Sequence, residues 1–254
     1  MIKFFRKIRQ NMIKENKISK YMLYAIGEII LVVVGILIAL QINNWNSKRI
    51  ENTEEQNVLI NLKKDFQLNK ENLESVLSDN EKYLKSDLEI LNFGRAKSSI
   101  KTEAEFSILL NDLTALSEFF PTNNSLDILQ NSSSISLIKS QELMNKLSSW
   151  KPNVESLKDK ENSTLELESS GVDFVIKNGS WLNVDEASNF KVLNKYTLPK
   201  SRFEVDNRTL LNIIEFENIV ENLIVKKNGL IKTEEKTLVL VKEILDLIEK
   251  EIKK

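Results

Sequence analysis

"YMLYAIGEIILVVVGILIALQINNW", Tyr21 to Trp45, decides how the rest of the chain is read. From Tyr21 to Ile42 the run is 22 residues long, apolar but for Glu28 and, at its end, Gln41. As a helix it rises about 33 Å at about 1.5 Å per residue, which matches a hydrocarbon core of about 30 Å. An acid near the middle of such a helix costs roughly 2.5–3.5 kcal/mol, and each Leu, Ile or Val returns roughly 0.3–0.6. More than a dozen strongly apolar residues stand against one off-centre carboxylate. The segment is expected to span a membrane.

A cleaved signal peptide is the rival, with an apolar core of about 7–15 residues and a small-x-small cleavage site. The run here is longer, and Ala39 to Trp45 offers no clean pair of that kind. Three parts follow: a basic cytoplasmic segment 1–20, a transmembrane helix 21–43, and an extracytoplasmic domain 44–254. Seven Lys/Arg precede Tyr21 against one acid, Glu15, so the positive-inside rule leaves the N-terminus in the cytoplasm. Lys3, Arg6, Lys7 and Arg9 interleave with Phe5, Ile8 and Met12 at helical spacing. They suit an amphipathic helix on the membrane surface, each basic group adding about 1 kcal/mol with anionic lipid. The same charges also suffice merely to set topology, and the residues leave both readings open. Tyr21 and Trp45 fall where interfacial anchors belong.

Glu28 and Gly35 are two helical turns apart, Ala39 lies one turn further, and Tyr24 extends the stripe toward the cytoplasm. Gly35-x-x-x-Ala39 lets a second helix approach closely. Acids within a membrane usually face protein rather than lipid. Tyr24, Glu28, Gly35 and Ala39 are therefore the candidate helix–helix contact, with a second copy of the chain or a partner membrane protein. The competing reading is that Glu28, close to the inner edge, is tolerated there through water defects.

Composition removes several kinds of chemistry. There is no cysteine and no histidine among the 254 residues, which excludes disulfides, thiolate sites, Ser-His-Asp triads and the usual zinc and iron sites. A formal net charge of −1 argues against a nucleic-acid partner. Ser136-x-x-Lys139 and Ser78-Asp79-Asn80 echo penicillin-binding enzymes, but in reversed order and without a K-T-G, as chance allows in a chain rich in Ser, Lys and Asn. Neither an EF-hand loop nor a phosphate-cradling glycine loop is present. No catalytic residue, metal or cofactor is expected.

The N-terminal letters "FFRKIRQN", "ENK", "SKY", "LYAIGEI" and "GILIALQINNWN" resemble the start of an uncharacterised single-pass membrane protein family of Bacteroidota. The resemblance covers residues 1 to about 50. A looser one continues through "SLDILQNSSSISLIKSQELMNKL", where the family often has glycine and this chain has serines. It implies a bacterial inner-membrane location, a mostly helical periplasmic domain, and no reaction.

Beyond the membrane, Leu59, Leu62, Phe66, Leu73, Val76, Tyr83 or Leu84, Leu88 and Leu91 repeat about every 3.5 residues, which predicts a long amphipathic helix. It can continue the membrane span or hinge at Asn43, Asn44, Asn46 and Ser47. Asn69 and Asn80 fall on its apolar stripe, as register-setting coiled-coil positions or as satisfied polar groups of a bundle core. Thr102 with Glu105 reads as a capping box. Its helix stops before Pro121, Ser125 caps a short one, and another runs from Leu137 to Trp150. Pro152 turns or kinks the chain ahead of further helical pattern to about Ser169. Asn178-Gly179 predicts a small β-hairpin near 172–184, although a helix C-cap also explains Gly179. Asp206 caps a helix closed by Gly229, and Thr233 caps another, which predicts a terminal αα-hairpin.

The fold class expected is mainly α: a transmembrane helix followed by an extracytoplasmic helical bundle. The function expected is non-enzymatic interaction or scaffolding at the membrane. A ligand-sensing domain relaying to a partner membrane protein is the alternative, and a carboxylate or Ser/Lys hydrolase a distant third.

Overall fold

The computed structural model describes residues 18–93, 102–131 and 133–252, with side chains from Met22 onward except at Ser133 and Ser134. The fold is mainly α. Two compact units divide the chain, Met1–Asn57 and Val58–Lys254. In the first, the described residues form the beginning of helix α1 (Ile18–Asn92). Asn43 to Ser47 do not break it, and the Thr53 hydroxyl donates back to the Arg49 carbonyl. The large apolar side chains between Met22 and Ile42 are exposed.

The second unit is a bundle whose long members are the rest of α1, α4 (Gln141–Asn178) and α6 (Ile214–Ile252). Their buried positions step by three and four: Leu59, Leu62, Phe66, Asn69, Leu73, Val76 on α1, and Val220, Leu223, Lys227, Leu230, Glu234, Thr237, Val241 on α6. That period keeps one stripe facing the bundle axis over many turns. Ion pairs Lys63–Glu249 and Lys242–Glu74 join α1 to α6, and Lys146–Glu243 joins α4 to α6. In each pairing an early residue meets a late one, so α6 runs antiparallel to both. The exposed pairs themselves add little, typically about 0–1 kcal/mol each.

The fourth limb, antiparallel to α1, is only partly helical. It consists of α2 (Glu103–Leu113), an irregular stretch 114–123, α3 (Asn124–Asn131) and a 3-10 turn Ser133–Leu137. The capping box of Thr102 and Glu105 opens α2, as its letters predict. Backbone without a helix inside a bundle needs other partners, and side chains supply them. Asn69 accepts from the Thr122 N–H at 2.6 Å and donates to its carbonyl at 2.8 Å. Asn80 does the same for Ser117, at 2.9 Å both ways. Asp65 accepts the Ser125 N–H at 2.7 Å, capping α3 from another helix where Ser125 was expected to cap it. Phe66 and Phe119 meet Trp150 edge-on, and the indole N–H donates to Asn123.

Three expectations are corrected. The terminal αα-hairpin is one helix: Gly229 and Thr233 lie inside α6, and the Thr233 hydroxyl donates to the Gly229 carbonyl rather than capping anything. The antiparallel neighbour that precedes α6 in the chain is α4, joined to it through the insertion between them. Helix α4 passes through Pro152 without ending. The β-hairpin near 172–184 is absent; Gly179 is the C-cap of α4, and Ser180 opens the short α5 (Trp181–Ala187). At Gly179 a Cβ would sit 2.7 Å from Asn207 Oδ1, because Asn207 closes on the next residue, accepting the Ser180 N–H and donating to its carbonyl. The two-stranded sheet is further on, β1 (Lys191–Val192) against β2 (Tyr196–Thr197). Asp206 caps a 3-10 turn, Asn207–Asn212, that leads into α6.

Candidate functional site

On α1 the stripe residues divide into two environments. Tyr24 and Glu28 are half-buried, whereas Gly35 and Ala39 are exposed. A Cβ at Gly35 would meet nothing within 4 Å. That open backbone is what close helix approach requires. Trp45 is 65 % exposed, with the Arg49 guanidinium 5.8 Å from its ring centre. Lys3, Arg6, Lys7 and Arg9 lie outside the described residues, as does the side chain of Tyr21. The helix is long and apolar enough to cross a membrane, with a mean hydropathy of 2.7 over its most apolar window.

The second site lies in the bundle, and pattern reading passed over it. Two apolar cores fill the bundle: one holds Leu73, Leu157 and Leu230, the other Ile90, Phe174 and Leu223. Every long helix places polar residues on its buried stripe: Asn80 and Asp87 on α1, Glu161, Thr164 and Glu168 on α4 and Lys227 on α6 fall between the two cores in sequence, and Glu234 on α6 lies just inside the first. Lys227 is wholly buried. Its ammonium lies 3.1 Å from Asp87 Oδ2 and 3.6 Å from Glu168 Oε1, and it donates to the carbonyls of Asp112 and Leu113 at 3.2 and 3.0 Å. The Tyr83 ring faces the same ammonium at 5.9 Å. Ser86 donates to Asp112 Oδ2 at 2.8 Å.

Loss of water dominates the carboxyls here. Burial pushes Asp87 up to about 7 even though the Lys227 charge pulls it down. Glu168 rises to about 7 for the same reason and against the same pull. Glu234 also rises to about 7 by burial, opposed by the hydrogen bond from Asn80 Nδ2 at 2.6 Å. Glu161 accepts the Phe119 N–H at 2.7 Å, and its other oxygen lies 3.2 Å from Lys158, which also binds Glu118. The arrangement can bind and release protons inside a closed core. Among the described residues, no group of three or more Asp or Glu is placed to hold a metal ion. Ser136 is exposed in the 3-10 turn, and Asn80 of the Ser78-Asp79-Asn80 letters is engaged with Ser117.

Residues 28–151 match the sequence profile of a family described as of unknown function (DUF6090). The match starts at Glu28, takes in the remainder of α1 with α2 and α3, and ends in the first turns of α4. No curated protein and no solved structure matches the chain.

Proposed function

We propose that this protein is a membrane-anchored interaction protein without catalytic activity, acting through the Tyr24, Glu28, Gly35 and Ala39 stripe and through its helical bundle. The observation that carries the reading is the helix surface from Met22 to Ile42, apolar, exposed, and opened at Gly35 where no side chain intervenes. Such a surface is stable only in lipid or against other apolar helices. The proposed setting is the inner membrane of a bacterium, with the N-terminus cytoplasmic and residues 44–254 in the periplasm. The basic N-terminal segment and the resemblance to Bacteroidota single-pass proteins support that placement. The partner is a second copy or another membrane protein.

Photo-crosslinking in native membranes from a probe at position 35 tests the stripe. A specific protein adduct that disappears with Glu28→Gln is expected, and its mass distinguishes self from partner. Labelling of lipid alone, unchanged by the substitution, would leave Glu28 a tolerated residue and refute the contact.

A second reading, a periplasmic sensing domain relaying to a partner membrane protein, is favoured by the proton-binding layer around Lys227. It requires that the full chain be thermally stabilised by a small molecule, or that partner crosslinking change between pH 5 and pH 8.

A further inference from the structure

The insertion between α5 and α6 carries apolar side chains that neither core uses. Phe190, Val192, Leu193, Tyr196 and Phe203 are all exposed, Leu193 at 84 % and Phe203 at 65 %. None of them belongs to either buried cluster. They surround the β1–β2 hairpin, whose turn is closed by the Lys195 N–H donating to the Val192 carbonyl at 3.1 Å. Both central residues have positive φ, Leu193 at 54° and Asn194 at 56°. This is the turn that favours Asn-Gly and disfavours a bulky side chain at its first position. Leu193 thus holds a strained backbone at the tip while 84 % exposed, with no place in either core of the described residues to offset it. Strain of that kind points to a contact outside the chain.

Along the sequence the charge of the tip is one-sided. From Ser188 to Phe203 there are four basic residues, Lys191, Lys195, Lys200 and Arg202, and no acid. Two of them lie over neighbouring rings, Lys195 5.3 Å from the Tyr196 centre and Arg202 5.1 Å from the Phe203 centre. The first acid after them is Glu204, and with Glu103 and Asp206 it lines a pocket that Lys200 and Arg202 share, which leaves Lys191 and Lys195 as the cations of the tip itself. A tip of two residues per strand offers no flat, complementary patch for a specific protein partner. A second copy would bring the same positive charge against it. An anionic lipid surface needs no shape match: rings sit at headgroup depth, a leucine enters the acyl boundary, and lysines meet phosphates.

We infer that the Phe190–Phe203 tip docks on an anionic lipid surface, with Leu193 inserted and Lys191 and Lys195 on the headgroups. The inference does not rest on the proposed anchor, since the tip and position 35 are read by separate probes.

The chain has no cysteine, so Thr197→Cys carries a single environment-sensitive fluorophore in the full-length protein. The labelled chain is reconstituted in phosphatidylcholine nanodiscs, which do not float by themselves, and mixed with vesicles of phosphatidylcholine alone or with phosphatidylglycerol. A blue shift and co-flotation with the phosphatidylglycerol vesicles are expected, both weakened by salt. Placing phosphatidylglycerol in the chain's own bilayer instead distinguishes docking there from docking on a second membrane. Lys191→Gln with Lys195→Gln should weaken partition about 30-fold, from about a factor of five for each charge. Leu193→Asn should abolish the blue shift while leaving the melting temperature unchanged or higher, because asparagine suits that turn. Emission indifferent to phosphatidylglycerol would overturn the inference, as would variants that float like the parent. Retention by polyglutamate or nucleic acid without vesicle binding would also overturn it, in favour of an acidic macromolecule.

Discussion

Along Met22–Ile42 large apolar side chains stand in the open, Leu31 at 75 % exposure, whereas in the bundle Lys227 is wholly buried beside Asp87. Each region inverts the usual sorting of side chains, and the two resolve it differently. Among the described residues of its own unit nothing covers the apolar face of the first, so lipid or another helix is the environment proposed for it. The second supplies its own environment: one ammonium, two carboxyls and two backbone carbonyls converge, drawn from α1, α4, α6 and the end of α2. Exposed apolar surface reports on a missing partner, and buried charge reports on partners already present. Only the second can be taken apart by substitution without knowing what lies outside the molecule.

The largest effect should come from Lys227→Met. Removing the ammonium leaves the Asp87 and Glu168 carboxyls uncompensated and two carbonyls without their donor, a loss of about 3–5 kcal/mol when the carboxyls are charged. The pH dependence has a definite sign. Asp87, Glu168 and Glu234 are raised to about 7 in the folded state, against ordinary values near 4 when unfolded. The folded chain therefore binds more protons than the unfolded chain between about pH 4 and 7, and the stability that this binding contributes is lost as pH rises through 7. The parent should melt higher at pH 5 than at pH 8. Lys227→Met should be milder at pH 5, where the carboxyls can take up protons. Equal loss at both pH values in urea titrations would break the contrast, because the layer would then not be set by desolvated carboxyls.

Asn80→Leu probes the layer's edge. It deprives the Ser117 N–H and carbonyl of their partners and takes the donor from Glu234, at about 1–3 kcal/mol for each buried group left unpaired. Amide exchange should rise at Ser117 ahead of the α6 core. Unchanged exchange there would mean that the irregular stretch does not depend on the asparagine. The smallest effect sharpens the fold itself: Gly229→Ala, inside α6 with nothing within 4 Å of a new Cβ, should stabilise by about 0.5–1 kcal/mol. A destabilising result would point instead to a turn at Gly229.

The difference between reading and finding is clearest at Asp87. The apolar letters on α1 invite a stripe that drifts to Leu88 and Leu91, but the structure exposes Leu88 and buries Asp87 and Ile90. Keeping strict three-four steps from Leu73 through Val76, Asn80 and Tyr83 arrives at Asp87 directly. On α6 the same stepping runs unbroken from Val220 through Lys227 and Glu234 to Val241, which marks one helix across Gly229. A helix closed at Gly229 makes Lys227 a terminal charge, and that reading follows when periodicity is counted in apolar residues alone. Asn69 and Asn80, by contrast, were legible as satisfied polar groups of a bundle core.

By itself the sequence determined the apolar helix, the mainly α class, the Thr102–Glu105 cap and the absence of thiol and imidazole chemistry. These depend on local composition and on spacings within a few turns, where neighbours in space are neighbours in the chain. Only the tertiary structure decided that Gly179 ends a helix rather than turning a hairpin, and that Lys227, Asp87 and Glu168 meet. The physical reason is range: Lys227 and Asp87 lie far apart along the chain, and whether a charge is buried depends on what packs around it. Desolvation is a property of the assembled core, and no window of letters contains it.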